Sequence, residues 1–404
     1  MLGGIAEGIT EVSGFLEGED CLATMAAMRA MGVAIERPGG GRVVVHGVGL
    51  SGLSPPRGPL DMGNAGTAMR LLTGLLAGQS FDSVLIGDSS LMKRPMERVA
   101  APLRLMGAVV ETNQGRPPVR IRGGQQLRGI DHRLAVASAQ VKSALLLAGL
   151  YASGTTSVVE PATTRDHTER MLRAFGIDVT ADRGRVSVRP GILHGTRIDV
   201  PGDFSSAAFF IVAATIAGGS PLLIRNVGIN ATRTGLVDIL RLMGGRIQFR
   251  NERRAGDEPV ADLLVEPARL RGIDVPPELV PLAIDEFPAF FIAAALAEGE
   301  TRVSGAAELR VKESDRIGVM AEGLAALGAR AEAMPDGMRI RGGSLTGGTV
   351  DSHGDHRIAM AFAVAAACAE GPVRIVDVAN VATSFPDFPT VAESAGLRVL
   401  AAGA

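Results

Sequence analysis

Apolar residues fall along this chain in two alternating patterns. The first comprises runs such as Ala68-Met69-Arg70-Leu71-Leu72-Thr73-Gly74-Leu75-Leu76-Ala77, Ala207-Ala208-Phe209-Phe210-Ile211-Val212 and Ile358-Ala359-Met360-Ala361-Phe362-Ala363, apolar on nearly every helical face. A helix of that kind has no solvent side and must be buried all round. The second pattern, as in Asp166-His167-Thr168-Glu169-Arg170-Met171-Leu172-Arg173-Ala174-Phe175, carries an apolar stripe among charges. That is the pattern of a surface helix. Between them stand β-branched alternations bounded by Gly or Pro, including Arg42-Val43-Val44-Val45-His46, Val119-Arg120-Ile121-Arg122, Val186-Ser187-Val188-Arg189 and Met338-Arg339-Ile340-Arg341, which read as strands.

Polar loop, apolar helix, strand, amphipathic helix and strand recur six times, at a period of about 65 to 85 residues, too long for an ordinary solenoid repeat. The apolar helices are expected to close at Gly8, Gly78, Gly154, Gly218, Gly299 and Gly371, and the amphipathic ones at Gly32, Gly107, Gly176, Gly244, Gly328 and Gly396. The fold class is therefore α/β, built from six βαβαββ-like units, three per domain. Asp199-Val200-Pro201-Gly202-Asp203 is the expected crossing, because Pro restrains the residue before it and Gly permits a turn. This gives domains of residues 1–200 and 201–404, the first unit beginning inside its apolar helix. Asn251 to Val260, charged and containing Gly and Pro, reads as a solvated hairpin tip.

Composition narrows the function. With 404 residues, 46% of them hydrophobic, the chain can bury two cores. Aromatics are only 3%, so Ala, Leu, Val, Ile and Met must pack those cores. A net charge of -2, from 41 basic and 43 acidic residues, argues against a nucleic-acid partner. Cys21 and Cys368 have neither metal-ligand spacing nor a disulfide framework and read as buried thiols in a reducing compartment. Met1 to Gly8 has no basic leader, and no apolar run approaches the ~18 residues of a membrane span. The expectation is a soluble, cytoplasmic protein without a membrane partner.

The loops that open the apolar helices hold the chemistry. They read Met62-Gly63-Asn64-Ala65-Gly66-Thr67, Ala137-Ser138-Ala139-Gln140, Pro201-Gly202-Asp203-Phe204-Ser205-Ser206, Ile284-Asp285-Glu286 and His353-Gly354-Asp355-His356-Arg357. Thr67, Ser138, Ser205 and Asp285 would serve as ordinary N-caps. Capping, however, does not call for Gln140, His356, Arg357 or Asn64, whereas converging helix N-termini make an anion site. Cations lie near the same ends: Arg70, Lys93-Arg94-Pro95, Arg165 and the run Arg310-Val311-Lys312-Glu313-Ser314-Asp315-Arg316. In a helix Lys312, Asp315 and Arg316 would share one face as a solvated ion-paired turn. Arg forks take carboxylate and phosphate in pairs, and Lys adds a mobile point charge. With Asp285, Glu313 and His356 the set suits phosphate- and carboxylate-rich substrates with proton transfer. No Walker loop, dinucleotide fingerprint or metal-ligand spacing is present. That leaves group transfer with no cofactor and no metal.

Asn64-Ala65-Gly66-Thr67, Lys93-Arg94-Pro95, Ser138-Ala139-Gln140-Val141-Lys142, Arg165-Asp166-His167-Thr168-Glu169, Arg310 to Arg316, Asp355-His356-Arg357 and Thr383-Ser384-Phe385-Pro386-Asp387-Phe388 resemble the 5-enolpyruvylshikimate-3-phosphate synthase family over essentially the whole chain. Ser138-Ala139-Gln140-Val141-Lys142 and Arg165 to Glu169, with Gly202-Asp203-Phe204-Ser205 and Asn230-Ala231-Thr232-Arg233, resemble its class II, glyphosate-tolerant subgroup. Gly66 stands where some strongly tolerant members carry Ala, and Thr383 where class I members carry Lys. The resemblance implies the two-domain inside-out α/β prism, closing over shikimate-3-phosphate and phosphoenolpyruvate, in the shikimate pathway of aromatic amino-acid biosynthesis. It implies that Ser138, Ala139, Gln140, Arg165, Asp285 and Lys312 hold shikimate-3-phosphate, while Gly66, Arg94, Gln140, Arg316 and Arg357 surround phosphoenolpyruvate. Asn64, Thr67, Arg70 and His356 support them. Asp285, Glu313 and Lys312 are the implied catalytic groups, glyphosate an implied competitive inhibitor, and the chain an expected monomer.

Members of the family carry a Val-Pro-Gly-Asp-Lys-Ser type segment and an Arg immediately before the stretch matching Met1 to Gly8. That segment is absent from the 404 residues, so the sequence also admits a catalytically weak, substrate-binding relic. A UDP-amino-sugar enolpyruvyl transferase is a third reading, disfavoured because its usual loop cysteine is missing near Lys93.

Overall fold

The computed structural model describes residues 1–400. The chain separates into two compact units, one of Met1–Val200 with Ala255–Glu258, the other of Pro201–Arg254 with Pro259 onward.

The first unit contains three helix pairs in chain order: α1 (Leu2–Ile5) and α2 (Glu19–Ala30), α3 (Gly66–Ala77) and α4 (Glu97–Leu105), α5 (Ala139–Gly149) and α6 (His167–Ala174). The second repeats them as α7 (Phe204–Ile216) and α8 (Gly235–Leu242), α9 (Phe287–Ala295) and α10 (Arg316–Ala326), and α11 (His356–Ala365), which is followed by a single turn, α12 (Val381–Ser384), and by α13 (Phe388–Ser394). The architecture is α/β. Its odd-numbered helices down to α11 are the apolar ones, and they occupy the cores. Every residue of α9 is buried, as the absence of a polar face requires.

Three four-stranded sheets belong to the first unit. In one, Leu60–Asp61 runs parallel to Ser83–Ile86, which pairs antiparallel with Arg116–Arg122, itself paired with Val109–Asn113. The parallel step repeats where Asp131–Arg133 meets Thr156–Val159. It repeats again where Arg197–Asp199 meets Glu7–Ser13, so the last strand of this unit returns to its first. Each short strand delivers the chain to the start of an apolar helix, which sets the polar loops at equivalent positions of the repeat. The second unit has the sheets Leu222–Gly228/Glu258–Glu266/Arg246–Ala255, Glu300–Val303/Gly337–Arg341/Arg330–Met334 and Gly348–Asp351/Val373–Val376.

The amphipathic helices close where expected. Gly32, Gly107, Gly176, Gly244, Gly328 and Gly396 have φ between 80° and 99°, the left-handed cap that Gly adopts without strain. Of the apolar helices, α3 closes at Gly78 as expected, but others end earlier than their glycines predict: α5 stops at Gly149 rather than Gly154, α9 at Ala295 rather than Gly299, and α11 at Ala365 rather than Gly371. Their last turns tighten into i→i+3 bonds, such as Tyr151 N to Ala148 O and Cys368 N to Ala365 O. Three other expectations change. Asn251 to Val260 is a hairpin that is exposed from Asn251 to Arg254 as expected but half-buried from Asp257 to Pro259, where Glu258 Oε1 lies 2.7 Å from His167 Nδ1. Cys21 and Cys368 are half-buried instead of buried, and neither is disulfide-bonded. Lys312, Asp315 and Arg316 do not share a helix face, since Asp315 caps α10 by accepting from Gly318 N at 3.1 Å and leaves Lys312 in the preceding turn.

Candidate active site

In the first unit the apolar α3 begins at Gly66 without a side-chain cap. Its unsatisfied N–H groups and partial positive charge therefore remain for a ligand or the loop. Two buried guanidinium groups flank that end. Arg94, 8% exposed, donates to Asn64 Oδ1 and lies 3.5 Å from Ser90 Oγ. Arg70, 5% exposed, donates to Gln140 Oε1 at 2.6 Å and to the Pro95 carbonyl at 3.3 Å. Gln140 Nε2 in turn donates to Thr67 Oγ1 at 2.7 Å. Asn64 Nδ2 closes the set on Asp88 Oδ2 at 2.7 Å. Asn64 with Arg94, and Thr67 with Arg70 and Gln140, thus form two hydrogen-bonded sets whose guanidinium groups both approach Gly66, although the sequence scatters these residues.

Ser138 caps α5 by accepting from Val141 N at 3.4 Å, which places Ala139 and Gln140 in the first turn. Arg165 stands half-buried just before α6. Thr67, Ser205 and Asp285 were equally plausible caps by residue type, but they are not caps: α3 follows Ala65, α7 is capped by Asp203 through Ser206 N at 2.8 Å, and α9 follows Glu286. Thr67 serves Gln140, Ser205 donates to Glu286 Oε1 and accepts from Arg233 at 2.6 Å, and Asp285 faces cations.

The second unit gathers its charged residues around Arg316, whose side chain is 1% exposed. Arg316 Nε donates to Asp355 Oδ2 at 2.8 Å, its Nη2 to Glu313 Oε2 at 2.6 Å, and its Nη1 lies 3.5 Å from Asp285 Oδ1. Lys312 Nζ is 3.3 Å from the same Asp285 oxygen and 3.7 Å from Glu308. Arg357 Nη1 donates to the Asp285 carbonyl at 3.2 Å. All six expected residues of this half, Asp285, Lys312, Glu313, Arg316, His356 and Arg357, lie in one cluster or beside it. Burial works against the Arg316 charge, but Asp355 and Glu313 outweigh it and hold the guanidinium more firmly protonated than usual. Burial likewise opposes the Asp355 carboxylate, and Arg316 overcomes that to keep its pKa below the ordinary range. Burial and then Arg357 push His356 down to about 4, so it is neutral at physiological pH.

Sequence reasoning missed the hub of this cluster. Asp355 is fully buried and accepts from Arg316, from Ser314 Oγ at 3.1 Å and from Arg357 N at 3.0 Å. Its place as the residue before an apolar helix was the available signal. Among the described residues, no three His, Cys, Asp or Glu side chains converge as a metal site, and no helix is long and apolar enough to cross a membrane. Arranged this way, each unit presents fixed cations to an anionic ligand, and the second also offers carboxylates for proton transfer.

Residues 1–391 match the family model of EPSP synthase (3-phosphoshikimate 1-carboxyvinyltransferase). The chain belongs to the EPSP synthase family. A 3-phosphoshikimate 1-carboxyvinyltransferase from Methylococcus capsulatus is 62% identical over 401 residues, covering 99% of this chain and 92% of that protein. One from Alkalilimnicola ehrlichii is 63% identical over 402 residues, covering 99% and 90%. The solved EPSP synthase from Acinetobacter baumannii superposes with a TM-score of 0.88 at 56% identity, covering 98% of this chain and 92% of that one. The match to EPSP synthase leaves the UDP-amino-sugar reading without support, and the relic reading is not favoured.

Proposed function

We propose that this protein transfers the enolpyruvyl group of phosphoenolpyruvate to the 5-hydroxyl of shikimate-3-phosphate, releasing phosphate. The observation that carries this reading is the pair of prearranged cation sets, Arg70 and Arg94 in the first unit and Lys312, Arg316 and Arg357 in the second, each held by acceptors before any ligand arrives. Such groups stabilise charge without reorganising during the reaction. Both substrates carry a phosphate and each a carboxylate, the anions that Arg and Lys recognise.

Ser138, Ala139, Gln140 and Arg165, with Asp285 and Lys312, hold shikimate-3-phosphate in this reading. Gly66, Arg94, Gln140, Arg316 and Arg357 take phosphoenolpyruvate, with Asn64, Thr67, Arg70 and His356 in support. Asp285 accepts the proton of the 5-hydroxyl as its oxygen bonds to C2 of the enolpyruvate, and Glu313 delivers a proton to C3. The tetrahedral phospho-ketal then loses that C3 proton and expels phosphate, restoring the double bond. Lys312, ion-paired with Asp285, steadies the oxygen that gains charge. Its neutrality removes His356 from acid catalysis and leaves it a packing role beside the charged residues. Glyphosate, also an anion-rich small molecule, competes for the phosphoenolpyruvate groups. A monomer of the class II type, working in the cytoplasm, completes the proposal.

The test is phosphate release by the full-length native protein from the two substrates together, with the enolpyruvyl product identified by mass. Asp285→Asn should lower kcat by about 10² to 10⁴. Arg94→Ala should raise the KM for phosphoenolpyruvate. No phosphate release from the pair, or a kcat for Asp285→Asn equal to native, would sink the assignment.

A further inference from the structure

One turn beyond Ser138, Ala139 and Gln140, on the otherwise apolar α5, stands a lysine with no access to solvent. Lys142 Nζ lies 2.8 Å from Glu160 Oε2 and 2.7 Å from Glu169 Oε1, and the three side chains are 1%, 4% and 2% exposed. Glu160 directly follows the strand Thr156–Val159, and its other oxygen accepts from Oγ1 of Thr164, the residue before Arg165. Glu169 lies in the first turn of α6, immediately after Arg165 to Thr168. A second bond, Ser143 Oγ to Thr168 Oγ1 at 2.7 Å, ties the same two helices. All of these residues belong to the first unit.

Such a cluster is a costly way to fill a core. Taking a cation and two carboxylates out of water loses more than their attraction returns unless every lone pair is met, and apolar side chains of the same size usually serve stability as well or better. Here the account is incomplete: Glu169 Oε2 has no hydrogen-bond partner among the described residues. Burial raises the pKa of Glu169, with Lys142 opposing. What an ion cluster supplies and apolar packing does not is direction. Three elements converge on one nitrogen, and they are the α5 turn with Ser138 and Gln140, the loop ending at Arg165, and the start of α6.

We propose that Lys142, Glu160 and Glu169 are positioning residues, which fix Arg165 against the Ser138–Gln140 turn at the separation that captures shikimate-3-phosphate. The inference rests on the assignment of those two segments to that substrate. It gives Lys142 a function without contact to either substrate, and it predicts a defect confined to one of them.

The experiment compares the full-length native protein with Glu169→Gln and with the triple variant Lys142→Met/Glu160→Gln/Glu169→Gln. The triple variant removes all three charges together and so avoids stranding any one of them, which the single Lys142→Met would do. Shikimate-3-phosphate binding is read by calorimetry, and steady-state kinetics supply kcat and both KM values. Expected for the triple variant are a melting temperature within about 3 °C of native and a shikimate-3-phosphate Kd raised about tenfold or more. Its kcat at saturation should stay within about twofold, which damage to the fold would not spare. Glu169→Gln should show the same split more weakly. Native affinity in the triple variant overturns the proposal, and so does an equal fall in kcat and affinity. Failure of the native protein itself to bind shikimate-3-phosphate would instead remove the functional assignment on which the proposal stands.

Discussion

Replacing Gly66 by alanine isolates the chemistry of the first unit from its stability. A β-carbon at Gly66 would lie 2.9 Å from Arg94 Nη1, 3.4 Å from Arg70 Nη1 and 3.5 Å from Leu91 Cδ1. Ordinary non-bonded contact lies at about 3.5 Å or more, so the Arg94 guanidinium must retreat by roughly half an ångström. It cannot simply swing into water, being 8% exposed and tied to Asn64. Gly66 opens α3 with ordinary helical backbone, where alanine is favoured over glycine by about 0.5–1 kcal/mol. Stability should therefore hold or rise slightly.

On the proposed assignment, the displaced Arg94 should lose one charge-assisted hydrogen bond to the phosphoenolpyruvate anion, about 1.5–3 kcal/mol, or about 10- to 100-fold in the KM for that substrate. Glyphosate, proposed to compete for the same cations, should lose at least as much. Phosphate release with phosphoenolpyruvate varied at saturating shikimate-3-phosphate measures the first, and inhibition at fixed substrate the second. The KM for shikimate-3-phosphate should stay within about twofold, since Arg94 is not among the groups proposed to hold it. An unchanged phosphoenolpyruvate KM would show that Arg94 does not bind this anion, and a parallel rise in both KM values would point to a general distortion of α3.

Two predictions concern the second unit. Asp355→Ala strands a buried guanidinium and removes the acceptor of Ser314 and of Arg357 N. It should cost about 3–5 kcal/mol and lower the melting temperature by at least ~6 °C; a melt within ~2 °C of native would show that Glu313 and Asp285 suffice for Arg316. His356 has its pKa pushed from 6.5 to about 4 by burial and Arg357, so between those values the unfolded chain binds the extra proton. Stability from this residue is therefore full above about 6.5 and lost as pH falls towards 4, by up to about 3 kcal/mol. Denaturant melts from pH 4.5 to 7 should show a shallower slope for His356→Gln than for native protein, and identical slopes would refute the assignment.

What the sequence made legible was what local rules determine. An apolar run without a polar face must be buried, and a glycine after an amphipathic run must cap it, so both helix classes and all six caps at Gly32 to Gly396 could be read in advance. The roles of Asp355 and Lys142 could not. Asp355 looks like one more N-cap until Arg316, 39 residues away, is folded against it. Lys142 looks like a charge misplaced in an apolar helix, because its partner Glu160 comes 18 residues later on another element. The same limit explains the misplaced helix face of Lys312, Asp315 and Arg316. Spacing alone cannot tell a residue inside the first turn from one just before it, and Asp315 decides that by capping. Thr67 and Asp285 have cap chemistry but spend it on Gln140 and Lys312, a choice that only tertiary neighbours fix.

Those two unread residues share a logic. In each unit a deeply buried carboxylate–cation cluster adjoins groups assigned to substrate: Lys142 with two glutamates joins the segments that carry Gln140 and Arg165, and Asp355 holds Arg316 itself. A mobile cation at a surface must be ordered when an anion binds, at a cost in side-chain entropy of up to about 2 kcal/mol for each Lys or Arg. A cation already locked to acceptors has lost that freedom during folding, and its field is fixed in the direction where charge develops. The cost moves to the fold, where buried charges are expensive to assemble and destructive to break singly. A chain built this way should tolerate neutral replacement of a whole cluster far better than loss of one member. Its substrate affinity should then fall while its stability persists, because what the cluster supplies is the placement of the residues in front of it.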